Sequence, residues 1–80
     1  MLKLLILKHS PDFYLIGTVT ELDEEPSLLI ENCYRVTEDG NLDEFPKFTD
    51  QRDLFLTSDL IFTILDPSAS LADLYKATVG

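Results

Sequence analysis

The residues of this 80-residue sequence that could carry out chemistry fall into three groups: the single histidine His9, the single cysteine Cys33, and the adjacent carboxylates Asp23, Glu24 and Glu25. A cysteine nucleophile needs a neighbouring base, and the only candidate is the distant His9. No nucleophile–base pair can therefore be assembled from the sequence. We expect no catalytic residue and predict that the protein is not an enzyme.

Metal binding is also not expected. Calcium loops place oxygen ligands at alternate positions around a glycine, and residues 23–27 lack that pattern. His9 has no second histidine or cysteine near it in the sequence. We therefore predict no metal site and no cofactor. We interpret the carboxylates as a solvated acidic turn and Cys33 as a small, packed side chain.

The elements that position these residues are predicted to be mainly β-strands. β-Branched, aliphatic and aromatic residues cluster in five segments: residues 2–8, 14–22, 28–37, 52–56 and 60–65. Gly17 interrupts the second strand, where a bend or the close approach of another strand would require it. Asp39-Gly40 predicts a tight turn after the third strand, because glycine supplies the positive φ. Residues 42–51 are harder to interpret: Phe45 and Phe48 bracket Pro46-Lys47, and we expect either an irregular strand or a loop that packs its aromatic side chains inward.

A short helix is predicted to follow the strands over residues 67–77. Asp66 is the expected N-cap, with Pro67 at the first helical position. Leu71, Leu74 and Tyr75 then recur at helical spacing and form one apolar face. A helix this short is marginal alone, so we expect that face to dock on the strands; the alternative is a handle for a partner protein.

Size and composition indicate one domain spanning residues 1–80. The formal net charge of −9 favours a solubilising surface, or less often a charged interaction face, and disfavours nucleic acid because an acidic surface repels phosphate. The apolar run at residues 4–7 is too short for a signal peptide, and no stretch is long enough to span a membrane. We expect a cytoplasmic protein with no membrane partner.

The order of these features resembles the Sm/LSm (Sm-like) family over residues 2–65. Gly17, Asp23 and the Pro26-Ser27 pair before an aliphatic strand fall at positions that match the family's first motif. The second motif, an Arg-Gly pair between two aliphatic strands, corresponds to Thr57-Ser58. The resemblance implies a small, strongly bent, five-stranded Sm-like (SH3-like) barrel, here with a short C-terminal helix. An OB-like or SH3-like barrel would share much of this strand pattern, and a tight turn at Thr57-Ser58 facing the turn at residues 23–27 is the observation that discriminates between them.

The resemblance also assigns RNA-binding positions, and the chain departs from the family at most of them. By their place in the motifs these positions are Asp23, Glu25, Ser27, Thr57 and Ser58. Family members stack a base on an aromatic or histidine side chain where this chain has Glu25, and carry arginine where it has Thr57. Neither replacement stacks or supplies positive charge, so electrostatics opposes RNA at this rim.

Ring formation is the family property that the sequence retains best. The final strand, residues 60–65, is almost wholly apolar, as expected where both faces are covered, and a neighbouring subunit could cover one of them. The resemblance implies a homo-oligomeric ring of about five to seven copies, closed by head-to-tail contacts. The predicted interface residues are Leu54, Leu56, Leu60, Phe62 and Ile64.

These observations favour a non-enzymatic, ring-forming Sm-like protein that acts as a scaffold or protein-interaction module. An alternative is an RNA-binding Sm-like protein with a non-standard surface, built from Lys3, Lys8, His9 and Arg52. A third reading is a subunit of a larger assembly, such as a phage or other structural particle. The choice between a self-contained ring and a further protein partner stays open at this point.

Overall fold

The computed structural model describes residues 1–79 and shows one antiparallel sheet with a C-terminal helix. Six strands form the sheet, one more than predicted, because Leu42–Glu44 pairs with the end of the third strand. No helix within residues 1–79 is both long and apolar enough to span a membrane. The elements in chain order are β1 (Leu2–Leu7), β2 (Ser10–Glu21), β3 (Leu28–Val36), β4 (Leu42–Glu44), β5 (Leu54–Leu56), β6 (Ile61–Leu65) and α1 (Ala69–Val79).

The strand order is β4-β3-β2-β1-β6, and β5 pairs with the other end of β3. β2 begins at Ser10, earlier than predicted, because Ser10 pairs with Leu7 across a two-residue turn. Within residues 1–79 no pairing joins β5 to β6, so the sheet is not closed. The mainly β architecture with a C-terminal helix is confirmed. The sheet does not close into a barrel within one copy, and the Sm-like character of the fold stays a prediction.

The bend that Gly17 predicted is present as a bulge in β3. Ile16 faces Tyr34 and Thr18 faces Glu31, so β3 carries one extra residue opposite Gly17. Asn32 takes up the bulge with a φ of 52°, a region that asparagine tolerates better than most residues. A Cβ atom at position 17 would lie 2.6 Å from Ile30 Cγ2 and 2.9 Å from the Glu31 carbonyl oxygen. Glycine is therefore required here by close approach.

The main core lies on one face of this bent sheet. Its buried members are Leu5, Leu15, Leu28, Ile30 and Cys33. The alternating register places Ile16 on the opposite face, where it is also fully buried. The helix α1 covers part of this second face, as predicted, through Tyr75.

Tyr75 fixes the helix to the bulge. Its hydroxyl donates a hydrogen bond of 2.8 Å to the carbonyl oxygen of Asn32, and its ring meets Tyr34 edge to face at a centroid distance of 5.9 Å. Burial raises the pKa of the Tyr75 hydroxyl, which therefore remains a donor at neutral pH. Tyr75 thus docks α1 within the same chain, whereas Leu74 of the same apolar face stays exposed.

The start of α1 differs from the prediction. The helix begins at Ala69, and the Ser68 hydroxyl accepts a hydrogen bond of 3.2 Å from the Leu71 amide. Ser68 is therefore the N-cap, in place of Asp66. Asp66 instead forms an ion pair of 2.6 Å with Lys3 on β1, which draws its carboxylate away from the helix.

We predict that Gly17→Ala lowers the free energy of unfolding by about 1–3 kcal/mol, because the added methyl group overlaps Ile30 and the Glu31 carbonyl. Gly40→Asn is the matched control: Gly40 has a φ of +81° and no neighbouring atom within 4 Å of an added Cβ, and asparagine tolerates that conformation. Chemical denaturation measures both. Equal losses for the two variants would contradict the assigned close approach.

We predict that Tyr75→Phe costs about 0.5–1.5 kcal/mol of stability, because it removes the hydrogen bond to Asn32 and keeps the ring. Tyr34→Phe is the control, since within residues 1–79 its hydroxyl makes no hydrogen bond while its ring lies against Tyr75. Thermal unfolding followed by circular dichroism compares the two variants. A Tyr75→Phe variant as stable as wild type would show that the hydroxyl does not hold the helix.

Candidate functional site

Two turns meet at one end of the sheet. The β2–β3 turn is closed by a hydrogen bond of 2.7 Å from the Leu22 amide to the Ser27 carbonyl oxygen. The β5–β6 connection is a single turn of 3₁₀-helix, Ser58–Leu60. The Ser58 hydroxyl donates a hydrogen bond of 3.0 Å to Glu25 Oε1, which joins the two turns. The predicted contact between them is therefore present.

A groove lies beside this contact, between the β2–β3 turn and β6. Its volume is about 450 Å³, within the range of small-molecule and side-chain pockets in proteins. One wall comes from the turn and the other from β6, and most of the lining is aliphatic or aromatic. The apolar lining residues are Leu22, Leu28, Ile61, Phe62 and Ile64, and polar groups enter from Glu21, Ser27 and Ser58.

The residues at the RNA-binding positions all lie around this rim. Asp23, Glu25 and Ser58 are exposed, while Ser27 and Thr57 are half-buried. A hydrogen bond from the Thr57 hydroxyl lowers the pKa of the neighbouring exposed Asp59 carboxyl group, so that carboxylate is negative at neutral pH. The structure thus brings the five positions together, but as an acidic rim without an aromatic stacking face. This chemistry does not suit the binding of a phosphate backbone.

The strands on either side of the rim have free backbone edges. β5 pairs only with β3, and β6 only with β1, among the residues that the structure describes. An unpaired edge offers amide and carbonyl groups to a further strand. Both edges belong to the strands that the sequence assigned to the subunit interface.

The predicted interface residues divide into two sets. Leu54, Leu56 and Ile64 are partly buried against the core of their own chain. Leu60 and Phe62 are exposed, Phe62 by 69%. The sequence analysis missed Phe55, which is 56% exposed. Its signal was the alternation of β5: because Leu54 and Leu56 point to the core, the residue between them must point away.

The loop between β4 and β5 departs from the expectation that its aromatic side chains pack inward, because Phe45 does so and Phe48 does not. Phe48 is fully exposed and has a φ of 67°, whereas Phe45 packs edge to face on Phe13 at 5.2 Å. Arg52 holds the loop: its Nη2 donates hydrogen bonds of 2.8 Å to the carbonyl oxygens of Pro46 and Thr49. These contacts join both ends of the segment that carries Phe48.

Arg52 is tied to the rest of the chain as well. Its Nη1 lies 2.9 Å from Glu44 Oε2, and its carbonyl oxygen accepts a hydrogen bond from the Cys33 amide. Its positive charge is thereby committed to a carboxylate of its own chain. Lys3 is committed in the same way to Asp66. Two members of the basic set proposed for RNA binding are thus already neutralised.

The two remaining chemical candidates are not brought together into a site. Cys33 is fully buried, and burial raises its pKa to about 12, against a smaller opposing effect of Arg52. A thiol with that pKa has almost no thiolate at neutral pH and is a poor nucleophile. His9 lies exposed in the β1–β2 turn. Among residues 1–79 no group of three or more histidine, cysteine or carboxylate side chains could hold a metal ion.

The fold and site define a small antiparallel β-domain with an acidic rim, free strand edges and exposed aromatic side chains. A family model described as "Family of unknown function (DUF6561)" matches residues 1–80, and the chain belongs to that family. No curated protein matches the sequence.

We predict that stability falls as the pH rises from about 9 towards 12 because of Cys33. The folded-state pKa of about 12 lies above the ordinary value of 9.0, so the unfolded chain releases the thiol proton first and is stabilised relative to the folded chain. The raised pKa of Tyr75 acts in the same direction. Denaturation midpoints measured across this range should fall less steeply for Cys33→Ala than for wild type. Parallel pH profiles would contradict the assigned burial of the thiol.

Proposed function

We propose that the protein is a non-enzymatic, self-assembling scaffold or protein-interaction module whose copies join through β5 and β6. The observation that carries the proposal is the pair of free strand edges beside exposed apolar side chains. Phe55, Leu60 and Phe62 project from this region into solvent. Exposed apolar residues next to an open edge are typical of a surface that another chain covers.

Two different edges on one chain favour a head-to-tail arrangement. If β5 of one copy lies against β6 of the next, each copy uses both edges and the sheet continues across the interface. A cyclic arrangement of this kind closes when the rotation between copies permits it. The resemblance to Sm-like proteins supports a ring of about five to seven copies, in which a neighbour completes the bent sheet of each subunit.

The size of the chain supports the same proposal. A domain of this length buries roughly 60% of its unfolded surface, which leaves a small core. Only seven residues of the described chain are both hydrophobic and buried: Leu5, Leu15, Ile16, Leu28, Ile30, Cys33 and Tyr75. Covering Phe55, Leu60 and Phe62 in an interface would add apolar burial that the single copy lacks. We also propose a cytoplasmic location, in keeping with the single free cysteine.

Binding of RNA through Lys3, Lys8, His9 and Arg52 has weaker support. Lys3 and Arg52 form ion pairs with carboxylates of the same chain, and the rim where related folds bind RNA is acidic. Phosphate contacts require several uncommitted cations on one face. The scaffold is therefore the function that the geometry supports best.

We expect multi-angle light scattering at roughly 100 µM, where even weak complexes form, to give a mass several times the 9.1 kDa of one copy. Phe62→Glu should reduce the mass to that of a monomer, because it places a charge in the apolar contact. Val79→Glu is the control, since it adds the same charge at an exposed position on α1. A monomeric wild-type protein, or equal masses for both variants, would refute the proposed interface.

A further inference from the structure

We propose that Lys47 and Phe48 of one copy, here called the knob, dock in the groove between the β2–β3 turn and β6 of a second copy. The inference rests on the proposed self-assembly and names a second contact within it. The knob and the groove lie on the same chain and match in polarity, charge and position, and each of these matches has separate support.

The knob is a rigid aromatic projection. Phe48 is fully exposed although Phe45, three residues earlier, is packed against Phe13. Its positive φ is unfavourable for a bulky residue and persists only where surrounding contacts impose it. The hydrogen bonds from Arg52 to the carbonyl oxygens of Pro46 and Thr49 supply those contacts. A side chain that is held outward in this way loses little conformational entropy when a partner covers it.

The groove suits an aromatic occupant. Its volume of about 450 Å³ accommodates a phenylalanine side chain, and Leu22, Leu28 and Phe62 are among its apolar lining. Covering a phenylalanine removes roughly 150–250 Å² of surface from water. The groove is not filled by the knob of its own chain, because Phe48 is fully exposed. The proposal therefore assigns Phe48 of a second copy to this groove.

Charge complementarity favours this particular occupant. Within residues 1–79 Lys47 forms no ion pair, whereas Lys3 and Arg52 do. The groove is bordered by Glu21, and the adjoining turn adds three exposed carboxylates, at Asp23, Glu24 and Glu25, with no cation between them. A lysine beside the docking phenylalanine would lie opposite this negative rim. Two chains of net charge −9 thus acquire a local attraction where they meet.

The position of the knob is compatible with the proposed strand contact. The loop that carries Phe48 leads directly into β5, and one wall of the groove is β6. Bringing β5 of one copy to β6 of the next therefore also brings the knob towards that copy's groove. In both contacts one surface of a copy meets a different surface of the next copy, as a head-to-tail ring requires.

Disulfide trapping tests this arrangement with the protein itself. Thr49→Cys places a thiol beside the intact Phe48, and Ser58→Cys places one at the rim of the groove; both positions are exposed. The native Cys33 is fully buried and does not compete. Mixing the two variants under mild oxidation should give a yield of mixed disulfide dimer at least about tenfold above that of the control. A tenfold ratio corresponds to about 1.4 kcal/mol in the free energy of bringing the two thiols together.

The control mixture pairs Thr49→Cys with Lys76→Cys, an exposed position on α1. A second negative control combines Thr49→Cys with Phe48→Ser, which removes the aromatic ring and should lower trapping to the level of the Lys76→Cys mixture. Because Phe48 is fully exposed in the single copy, Phe48→Ser should unfold at the same temperature as wild type at concentrations where both are monomeric, so lost trapping cannot be attributed to misfolding. Equal trapping with Ser58→Cys and Lys76→Cys would overturn the proposal.

Light scattering on the same samples separates failure of the knob from failure of self-assembly. If assemblies form without the mixed disulfide, the docking of the knob in the groove is wrong and the strand contact is still supported. Monomers without the disulfide would overturn both. If the wild-type protein assembles, the Lys47→Glu variant should self-associate about tenfold more weakly at low salt. The difference from wild type should be smaller at high salt, because salt screens the charge contact. An equal effect at both salt concentrations would contradict the assigned role of Lys47.

Discussion

The structure depends most on the bulge at Asn32 and Cys33, opposite Gly17. The extra residue bends β3, so that one end pairs with β4 and the other with β5. Three distant parts of the chain then attach to this bend. Asp53 accepts a hydrogen bond from the Asn32 amide, the Arg52 carbonyl accepts one from the Cys33 amide, and Tyr75 donates one to the Asn32 carbonyl. The bulge thereby positions three parts of the structure: the loop with Phe48, the strand β5 and the helix α1.

The bend also leads to the features that support self-assembly. Because β3 carries β5 at one end, the 3₁₀ turn after β5 reaches the β2–β3 turn and forms the contact between Ser58 and Glu25. The short β5 then leaves its outer edge free, as does β6. Repulsion between acidic chains acts over about 8 Å at physiological ionic strength, whereas strand pairing and apolar burial act at contact. Under the proposed self-assembly, copies associate where apolar edges meet, and the acidic rim attracts a cationic part of the neighbour.

The sequence predicted much of the sheet because its strong local signals agree with the final structure. Gly17 indicated the close approach, Asp39-Gly40 the turn, and the aliphatic runs five of the six strands. For β4 the choice between an irregular strand and a loop stayed open, since three residues carry no periodicity and the pairing with Tyr34–Val36 is a tertiary contact. The helix cap was misplaced because Lys3, distant in sequence, pairs with Asp66.

The placement of the candidate residues on two facing turns agrees with the motif spacing, and their role stays a prediction. The exposed Phe48 could not be predicted, since its exposure results from the contacts of Arg52 with a loop that has no regular pattern. Whether the sheet closes, and with which chain, also depends on contacts that no local signal encodes.

Hydrogen–deuterium exchange at two protein concentrations tests the central claim most directly, because it reports on the free edges themselves. We predict that amides in β5 and β6 are protected at high concentration and exchange faster on dilution, since strand pairing between copies removes them from water. Amides in the β1–β2 pairing should exchange at the same rate in both samples. Concentration-independent exchange throughout β5 and β6 would contradict the account.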